Sequence, residues 1–331
     1  LPSSRRPYPK RVPPVLGANI SDLSSVYLLH QLGFGWIKNY LSWAGVEAQP
    51  GEFYWEDGDN VVEAGETYGF KVLLRLHDVP AWARPPETTI THPPTDLEAY
   101  GRFVGEVARR YRGRVAAYEI GNEPNLDYEW GMLTPDPALY AQMLCTAYAA
   151  IKSEDPDALV ISGGLATTGD GGEGSVGDLD FIRGIYEAGG KGCFDALGSH
   201  PYGFGRAPFA EHEYGLAVSR LEEQHQVMAE YGDGDTPIWA TEVGWPIPSA
   251  WTMGEHDEYA VTEAEQAFYY QQLLLQGAQK WPWLEGVFPF NLDFSTVPWY
   301  EAAQPMRYYA ILEADGSPRL AFSWLRGLGG S

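Results

Sequence analysis

Cysteine is scarce in this sequence of 331 residues, which contains only Cys145 and Cys193. Two cysteines so far apart exclude a disulfide framework and a zinc motif built on closely spaced cysteines. We expect two buried free thiols, and a single disulfide is the alternative. No apolar run reaches the ~18 residues of a membrane span, and the residues after Leu1 lack a signal-peptide pattern. We therefore expect a processed or trimmed chain with no membrane partner.

Positive charge is the second shortage. The chain has 22 Lys and Arg residues against 45 Asp and Glu residues, which gives a net charge of −23. Nucleic-acid binding depends on a basic surface that displaces phosphate counterions, and an anionic membrane would repel this chain. These facts exclude nucleic acid as an expected partner and favour a neutral, polar substrate.

Several local catalytic motifs are also missing. The sequence has no H-x-H pair and no H-E-x-x-H, C-x-x-C, P-loop or G-x-S-x-G motif. Metal-dependent hydrolysis, phosphate chemistry and serine acyl transfer therefore have no motif to support them, and we expect neither a metal nor a cofactor. Residues 169–174 fit G-x-G-x-x-G, but they begin well after their strand and indicate a flexible loop.

Apolar and aromatic residues, in contrast, are plentiful. Apolar residues make up 44% of the chain and aromatic residues 14%, including 12 Trp and 21 Tyr. This composition is typical of a globular protein and excludes disorder. Flat amphipathic rings in this number favour a sugar ligand. The acidic charge and the rarity of cysteine are consistent with an exported bacterial protein, which we expect to be a monomer.

Short apolar runs alternate with helical patterns through most of the chain. We predict eight strands, at Val15–Asn19, Trp36–Tyr40, Lys71–Leu76, Ala116–Gly121, Leu159–Gly163, Ala196–His200, Ile238–Glu242 and Gly286–Asn291. Helical patterns lie near 22–32, 57–69, 96–111, 136–154, 178–189, 215–231 and 262–281, and 317–328 can supply a closing helix.

Eight strands alternating with eight helices indicate a parallel α/β sheet. Closing that sheet removes both of its edges, so we predict a single (β/α)8 TIM barrel. The barrel would occupy residues 15–331, after an irregular N-terminal arm at 1–14. A doubly wound open sheet is the alternative.

Polar side chains concentrate where the predicted strands end, on the face of a barrel that carries active sites. Strand 4 runs into Asn122 and Glu123, and strand 7 ends in Glu242. Two glutamates from separate strands can flank one bond, as glycoside hydrolysis requires. The further candidates at strand ends are Lys38, Trp43, Arg75, His77, Trp82, His200, Tyr202, Asn291 and Trp299.

Two segments carry a resemblance to a known group of enzymes. The segment at 118–126 reads YEIGNEPNL and resembles the acid/base motif of clan A glycoside hydrolases, the retaining (β/α)8 enzymes. It is most similar to glycoside hydrolase family 39. The segment at 238–246 reads IWATEVGWP and resembles the nucleophile segment of the same clan, with features of families 5 and 17. Residues 36–55 resemble the second-strand block of the clan.

The resemblance implies a retaining glycosidase that cleaves a β-linked oligo- or polysaccharide by double displacement. Glu123 would be the general acid/base and Glu242 the nucleophile. Asn122 would donate a hydrogen bond to the 2-hydroxyl of the sugar, and Tyr202 would hydrogen-bond the nucleophile. An inactive glycan-binding barrel and a transglycosylase with the same residues are the alternatives.

The remaining candidates have weaker assignments. His77 and Trp82 resemble the residues of the third strand that line the −1 subsite, and His200 precedes Tyr202 by two positions. The clan usually has arginine near the nucleophile on the second strand, where this chain has Lys38. Arg75 could act as a second cation there or pair with a buried acid.

Other side chains have equally plausible packing roles. Trp43, Trp82 and Trp299 are each as consistent with core packing as with a sugar platform. Glu119, four residues before Glu123, is predicted to be a buried and paired core carboxylate.

Overall fold

The computed structural model describes residues 14–211 and 214–326. The predicted N-terminal arm at 1–14 therefore lies outside the described residues, except for Pro14. All eight predicted strands are present: β1 (Val15–Asn19), β2 (Trp36–Ser42), β3 (Lys71–His77), β4 (Ala117–Ile120), β5 (Leu159–Ser162), β6 (Leu197–His200), β7 (Ile238–Val243) and β8 (Leu284–Pro289).

The eight strands form one parallel sheet in the order β5-β4-β3-β2-β1-β8-β7-β6. A parallel bridge between Ile161 and Ala196 then joins β5 to the residue that precedes β6. The Ser162 N–H donates to the Ala196 carbonyl at 3.1 Å. This contact joins the two ends of the sheet, so the predicted barrel is confirmed.

Helices follow the strands in the predicted order: a 3₁₀ helix at Leu23–Leu32, then α1 (Glu56–Tyr68), α2 (Leu97–Arg110), α3 (Pro137–Glu154), α4 (Asp178–Glu187), α5 (Leu221–Glu230), α6 (Glu263–Lys280) and α7 (Leu320–Arg326). The helical pattern predicted near 22–32 thus forms a 3₁₀ helix. In the part of the chain that the structure describes, no helix is long and apolar enough to cross a bilayer.

Local sequence signals place the helix starts. The Asp96 side chain accepts hydrogen bonds from the Glu98 and Ala99 N–H groups and caps α2. Asp136 caps α3 in the same way, and Pro137 occupies the first turn, where its missing N–H costs nothing. These caps satisfy backbone donors that have no partner within the helix.

The side chains inside the barrel change from apolar to charged along its axis. Its lower layer is a separate apolar cluster formed by Trp36, Leu73, Ala117, Ile161, Ala196, Trp239 and Phe288. Because side chains alternate along a strand, the next inward positions on β2, β3 and β4 are Lys38, Arg75 and Glu119. The carboxyl ends of these strands therefore present charged groups above an apolar floor.

Cys145 on α3 and Cys193, before β6, form a disulfide with their Cα atoms 4.7 Å apart. This corrects the expectation of two free thiols. The two cysteines are 48 residues apart in sequence, and only the winding of the barrel brings them together. Closing a loop of this length restricts the unfolded chain and stabilises the fold by about 2–4 kcal/mol.

Candidate active site

A cavity of about 1240 Å³ lies at the carboxyl ends of the strands. Residues at the ends of seven strands line it, among them Asn19, Lys38, Arg75, Asn122, Glu123, Tyr202, Glu242 and Phe290. This is the face on which TIM-barrel enzymes carry their active sites.

Glu242 reaches this cavity because β7 is irregular. Ala240 pairs with Val287 and Val243 with Pro289, so β7 has one more residue than β8 between these pairs. Such a bulge reverses the alternation of side chains. Trp239 points into the barrel and Ala240 packs outside it. Without the bulge, Glu242 would share the face of Ala240, two residues earlier, and would point out of the barrel.

Glu123 lies just beyond β4, where the backbone turns sharply. Gly121 and Glu123 both have positive φ angles, 86° and 39°. Glycine adopts this conformation freely, whereas for a glutamate it costs of order 1–3 kcal/mol. A hydrogen bond of 3.0 Å from the Glu123 N–H to the Gly164 carbonyl holds the turn. The turn directs the Glu123 side chain into the cavity.

His200 lies between Glu123 and Glu242 and contacts both. Its Nδ1 lies 2.9 Å from Glu123 Oε1 and 3.8 Å from Glu242 Oε2. These two carboxylate oxygens are therefore less than about 7 Å apart. Retaining glycosidases separate their carboxyl groups by about 5–5.5 Å. This upper limit is compatible with the separation found in retaining enzymes.

Three donors hold the Glu242 carboxylate. Lys38 Nζ and Arg75 Nη1 each lie 3.1 Å from Oε1, and the Tyr202 hydroxyl donates to Oε2 at 2.8 Å. Burial alone would raise the pKa of Glu242, but the cations around it outweigh burial and lower the pKa to about 2. Glu242 is therefore ionised throughout the neutral and mildly acidic range.

Glu119 lies below this pair and is fully buried. Its Oε2 is 2.8 Å from Lys38 Nζ, and its Oε1 accepts from the Gly164 N–H at 3.2 Å. Burial raises the pKa of Glu119, but Lys38 and His200 outweigh that effect and hold the pKa well below its usual range. Glu119 is the buried, paired core carboxylate that the sequence predicts.

The Asn122 side chain lies between Arg75 and Glu129. Arg75 Nη1 donates to Asn122 Oδ1 at 2.6 Å, and Asn122 Nδ2 donates to Glu129 Oε1 at 2.9 Å. His77 contacts the far side of this carboxylate, with Nε2 at 3.1 Å from Glu129 Oε2. His77 thus reaches the site through Glu129 and does not itself line the main cavity.

Three other candidates have packing positions. Trp43 is 1% exposed and stacks on Phe103, and Trp82 donates its Nε1–H to the Glu47 carbonyl. Asn291 is fully buried and donates to the Met306 carbonyl. None of these three side chains lines the main cavity, and their contacts in the structure support the fold.

Trp299 does line the cavity and is 61% exposed. Sequence reasoning missed Tyr40 and Tyr128, which also line it and are 55% and 53% exposed. It also missed Glu129. Its position six residues after Glu123 carries no motif, because the irregular loop after β4 decides where it points.

Across residues 14–211 and 214–326, no three His, Cys, Asp or Glu side chains group in a way that could hold a metal ion. The polar groups of the site are instead paired with one another. The arrangement can supply an ionised carboxylate, a second carboxylate facing it, and amide and hydroxyl donors around the space between them.

The sequence matches the Cellulase family (glycosyl hydrolase family 5) over residues 21–230, and the chain belongs to this family. Together with the barrel, this membership places the chain in clan A of the glycoside hydrolases. A comparison with curated protein sequences finds no match.

Solved structures share the fold at low sequence identity. A family 39 glycoside hydrolase from Bacteroides cellulosilyticus WH2 has a TM-score of 0.73 at 23% identity, over 96% of this chain and 63% of its own. A monomeric β-xylosidase from Caulobacter crescentus CB15 has a TM-score of 0.67 at 17% identity, over 97% and 69%. Xylanase B from Clostridium stercorarium F9 has a TM-score of 0.62 at 16% identity, over 95% and 99%. The chain thus spans less than two thirds of the first of these proteins.

We expect the stability of the protein to depend on pH through His200. Burial lowers the pKa of His200, but the three surrounding carboxylates outweigh burial and raise it from 6.5 to about 9. The stabilisation from protonated His200 is therefore complete below about pH 6.5 and is lost as the pH rises through 9. We expect the free energy of unfolding to fall by up to about 3 kcal/mol over this interval.

Urea denaturation at pH 6, 7, 8 and 9 measures this loss, and His200→Gln should remove most of the slope. His225, which stacks on Trp283 outside the barrel, gives the matched control His225→Gln, which should retain the slope. An unchanged slope in His200→Gln would show that His200 is not the titrating group.

Proposed function

We propose that this protein hydrolyses β-linked bonds in a neutral oligo- or polysaccharide by double displacement, with Glu242 as nucleophile and Glu123 as general acid/base. The proposal rests on one observation above all. Both carboxylates lie within 4 Å of the same His200 nitrogen, and both line the cavity at the carboxyl ends of the strands.

In the first step, a Glu242 oxygen attacks the anomeric carbon as the glycosidic C–O bond breaks. Glu123, in its acid form, gives its proton to the departing oxygen, and a glycosyl ester of Glu242 results. In the second step, a water molecule attacks the same carbon and passes a proton to Glu123. The ester bond breaks, Glu242 leaves as a carboxylate, and the sugar keeps its β configuration.

Asn122 has one amide N–H directed at Glu129 and a second that is available to the sugar. We assign this second N–H to the 2-hydroxyl of the sugar in the −1 subsite, a contact that strengthens in the transition state. Tyr202 and Arg75 keep the nucleophile oriented through their hydrogen bonds to its two oxygens.

Aromatic rings around the cavity support a substrate longer than one sugar. Tyr40 lies near the end of β2, Tyr128 follows β4, and Trp299 follows β8. Sugar rings stack well on exposed aromatic faces. The volume of about 1240 Å³ also exceeds the 300–1,000 Å³ typical of pockets for single small ligands.

Charge favours a neutral glycan over a uronic acid polymer. Lys38 and Arg75 line the cavity, but both are already paired with Glu242, and Lys38 also with Glu119. The remaining lining includes the carboxylates of Asp57, Asp127, Glu173 and Glu255. A substrate carboxylate would meet this negative surface with no uncommitted cation from β2 or β3.

We also propose that the protein acts outside the cytoplasm as a monomer. The Cys145–Cys193 disulfide supports an oxidising compartment. The structural neighbour from Caulobacter crescentus CB15 is described as monomeric. Light scattering tests the monomer, and alkylation of the protein taken directly from its source cells should find no free thiol.

The decisive experiment uses p-nitrophenyl β-xyloside, β-glucoside and β-mannoside with xylan, mannan and β-glucan. Xylosides come first because two structural neighbours are named β-xylosidase and xylanase. The matching 2-deoxy-2-fluoro β-glycoside with a dinitrophenyl leaving group should then add one sugar mass to the peptide that contains Glu242. Labelling of another residue would refute the assignment, and cleavage of no substrate would favour a glycan-binding barrel.

A further inference from the structure

The orientation of the Asn122 amide is determined on both sides. Arg75 can only donate hydrogen bonds, so the 2.6 Å contact must be made to the amide oxygen. The Glu129 carboxylate can only accept, so the 2.9 Å contact must come from the amide nitrogen. The two neighbours together exclude the flipped amide.

Glu129 is itself held in place. His77 Nε2 lies 3.1 Å from Glu129 Oε2, and His77 Nδ1 lies 2.7 Å from Asp78 Oδ1. Burial lowers the pKa of His77, but hydrogen bonds to Asp78 and Glu129 outweigh burial and raise it. His77 lies within ion-pair distance of both carboxylates, which favour its charged form.

These contacts form a continuous chain from Asp78 through His77, Glu129, Asn122 and Arg75 to Glu242. Its members are largely buried: the side chains of His77 and Glu129 are each 16% exposed. A fixed acceptor beside Asn122 costs no reorganisation during the reaction, which is the condition for strong transition-state stabilisation.

We propose that Glu129 is a positioning residue for hydrolysis: it orients Asn122 so that the remaining amide N–H meets the 2-hydroxyl of the sugar. This inference rests on the proposed function. Without Glu129, Asn122 would keep only its contact with Arg75 and could rotate away from the sugar. Misplacement of a group by about 1 Å can cost about 100-fold in rate.

The test compares each cleaved p-nitrophenyl β-glycoside with its 2-deoxy counterpart. Glu129→Ala should lower kcat/KM for the 2-hydroxy substrate by about 10–100-fold, mainly through kcat. It should change kcat/KM for the 2-deoxy substrate by less than about 3-fold, because that sugar has no group for Asn122 to meet. Asn122→Ala combined with Glu129→Ala should be no worse than Asn122→Ala alone.

Glu129→Gln preserves the side-chain volume and an acceptor oxygen, so its kcat/KM should lie between those of Glu129→Ala and the wild-type protein. The same variant replaces Glu129→Ala in the test if the alanine variant folds poorly. Glu47→Ala is the matched control. Glu47 is buried and accepts hydrogen bonds from Trp43 Nε1 at 2.7 Å and Gly51 N at 2.8 Å, away from the cavity. It should leave the ratio between the two substrates unchanged.

An equal loss on both substrates in Glu129→Ala, or additive losses in the double variant, would overturn the positioning role while leaving the proposed function intact. A wild-type protein that cleaves both substrates equally well would also overturn it. Failure of the wild-type protein to cleave any glycoside would instead overturn the proposed function, and this inference with it.

Discussion

Replacing Glu242 with alanine should abolish turnover while leaving the fold intact. The carboxylate that we propose forms the covalent bond would be gone, and no nearby group could replace it, because Glu119 is buried below and paired with Lys38. We expect kcat to fall by at least about 10⁴-fold, as it does when other enzymes lose their nucleophile. Steady-state kinetics on the best aryl glycoside measures the loss, and circular dichroism checks the fold.

Azide distinguishes the two glutamates by stereochemistry. In Glu242→Ala, azide can occupy the vacated space and attack the anomeric carbon directly, so the product should be the inverted glycosyl azide. In Glu123→Ala, azide should attack the glycosyl-enzyme, and the product should retain its configuration. NMR of the products separates these cases.

Glu285→Ala is the control, because Glu285 on β8 is exposed and faces outward. Its activity should equal that of the wild-type protein. Near-normal activity in Glu242→Ala, or a retained azide product from it, would contradict the assigned roles.

Replacing Lys38 with methionine should cause the largest loss of stability in this site. Lys38 is 2% exposed, and its partner Glu119 is fully buried, 2.8 Å away. Removing the ammonium leaves a carboxylate in the barrel interior without its cation, at a cost of about 3–5 kcal/mol in the free energy of unfolding. Urea denaturation measures this cost.

The double variant Lys38→Met with Glu119→Leu should recover most of that stability, because neither charge then remains unpaired. It should not recover activity, since Glu242 would still lack the donor that lies 3.1 Å from its Oε1. Arg114→Met is the matched surface control. The Arg114–Glu66 pair is 36% and 49% exposed, so breaking it should cost at most about 1 kcal/mol. If Lys38→Met lowered the free energy of unfolding no more than Arg114→Met does, the buried Lys38–Glu119 pair would not be needed for stability.

Glu123 and Glu242 illustrate how far sequence reasoning reached. Their motifs predicted the clan and singled out both residues as catalytic candidates, because the local sequence at these strand ends is specific. The strand containing Glu242 was also predicted, yet simple alternation from Trp239 would have turned Glu242 outward. The bulge between Ala240 and Val243 instead turns Glu242 into the barrel. It arises because β7 has two residues, and β8 only one, between the pairs Ala240–Val287 and Val243–Pro289.

Side chains that differ in function can look alike in sequence. Trp43 and Trp299 each follow a barrel strand, but one packs on Phe103 and the other lines the cavity. Glu129 has no motif, and the turn of the chain after Gly121 decides that it reaches Asn122.

The sequence by itself determined the order of eight strands and their helices, the acidic character of the chain and the two glutamate motifs. Periodicity, helix caps and short motifs depend on neighbouring residues, so they can be read along the chain. Only the tertiary structure decided the Cys145–Cys193 bridge, the contact between Lys38 and Glu119, and the place of Glu129 beside Asn122. The first two join residues from separate strands, helices or loops, and closure of the barrel sets which of them meet. The third depends on how the loop after β4 turns back on itself.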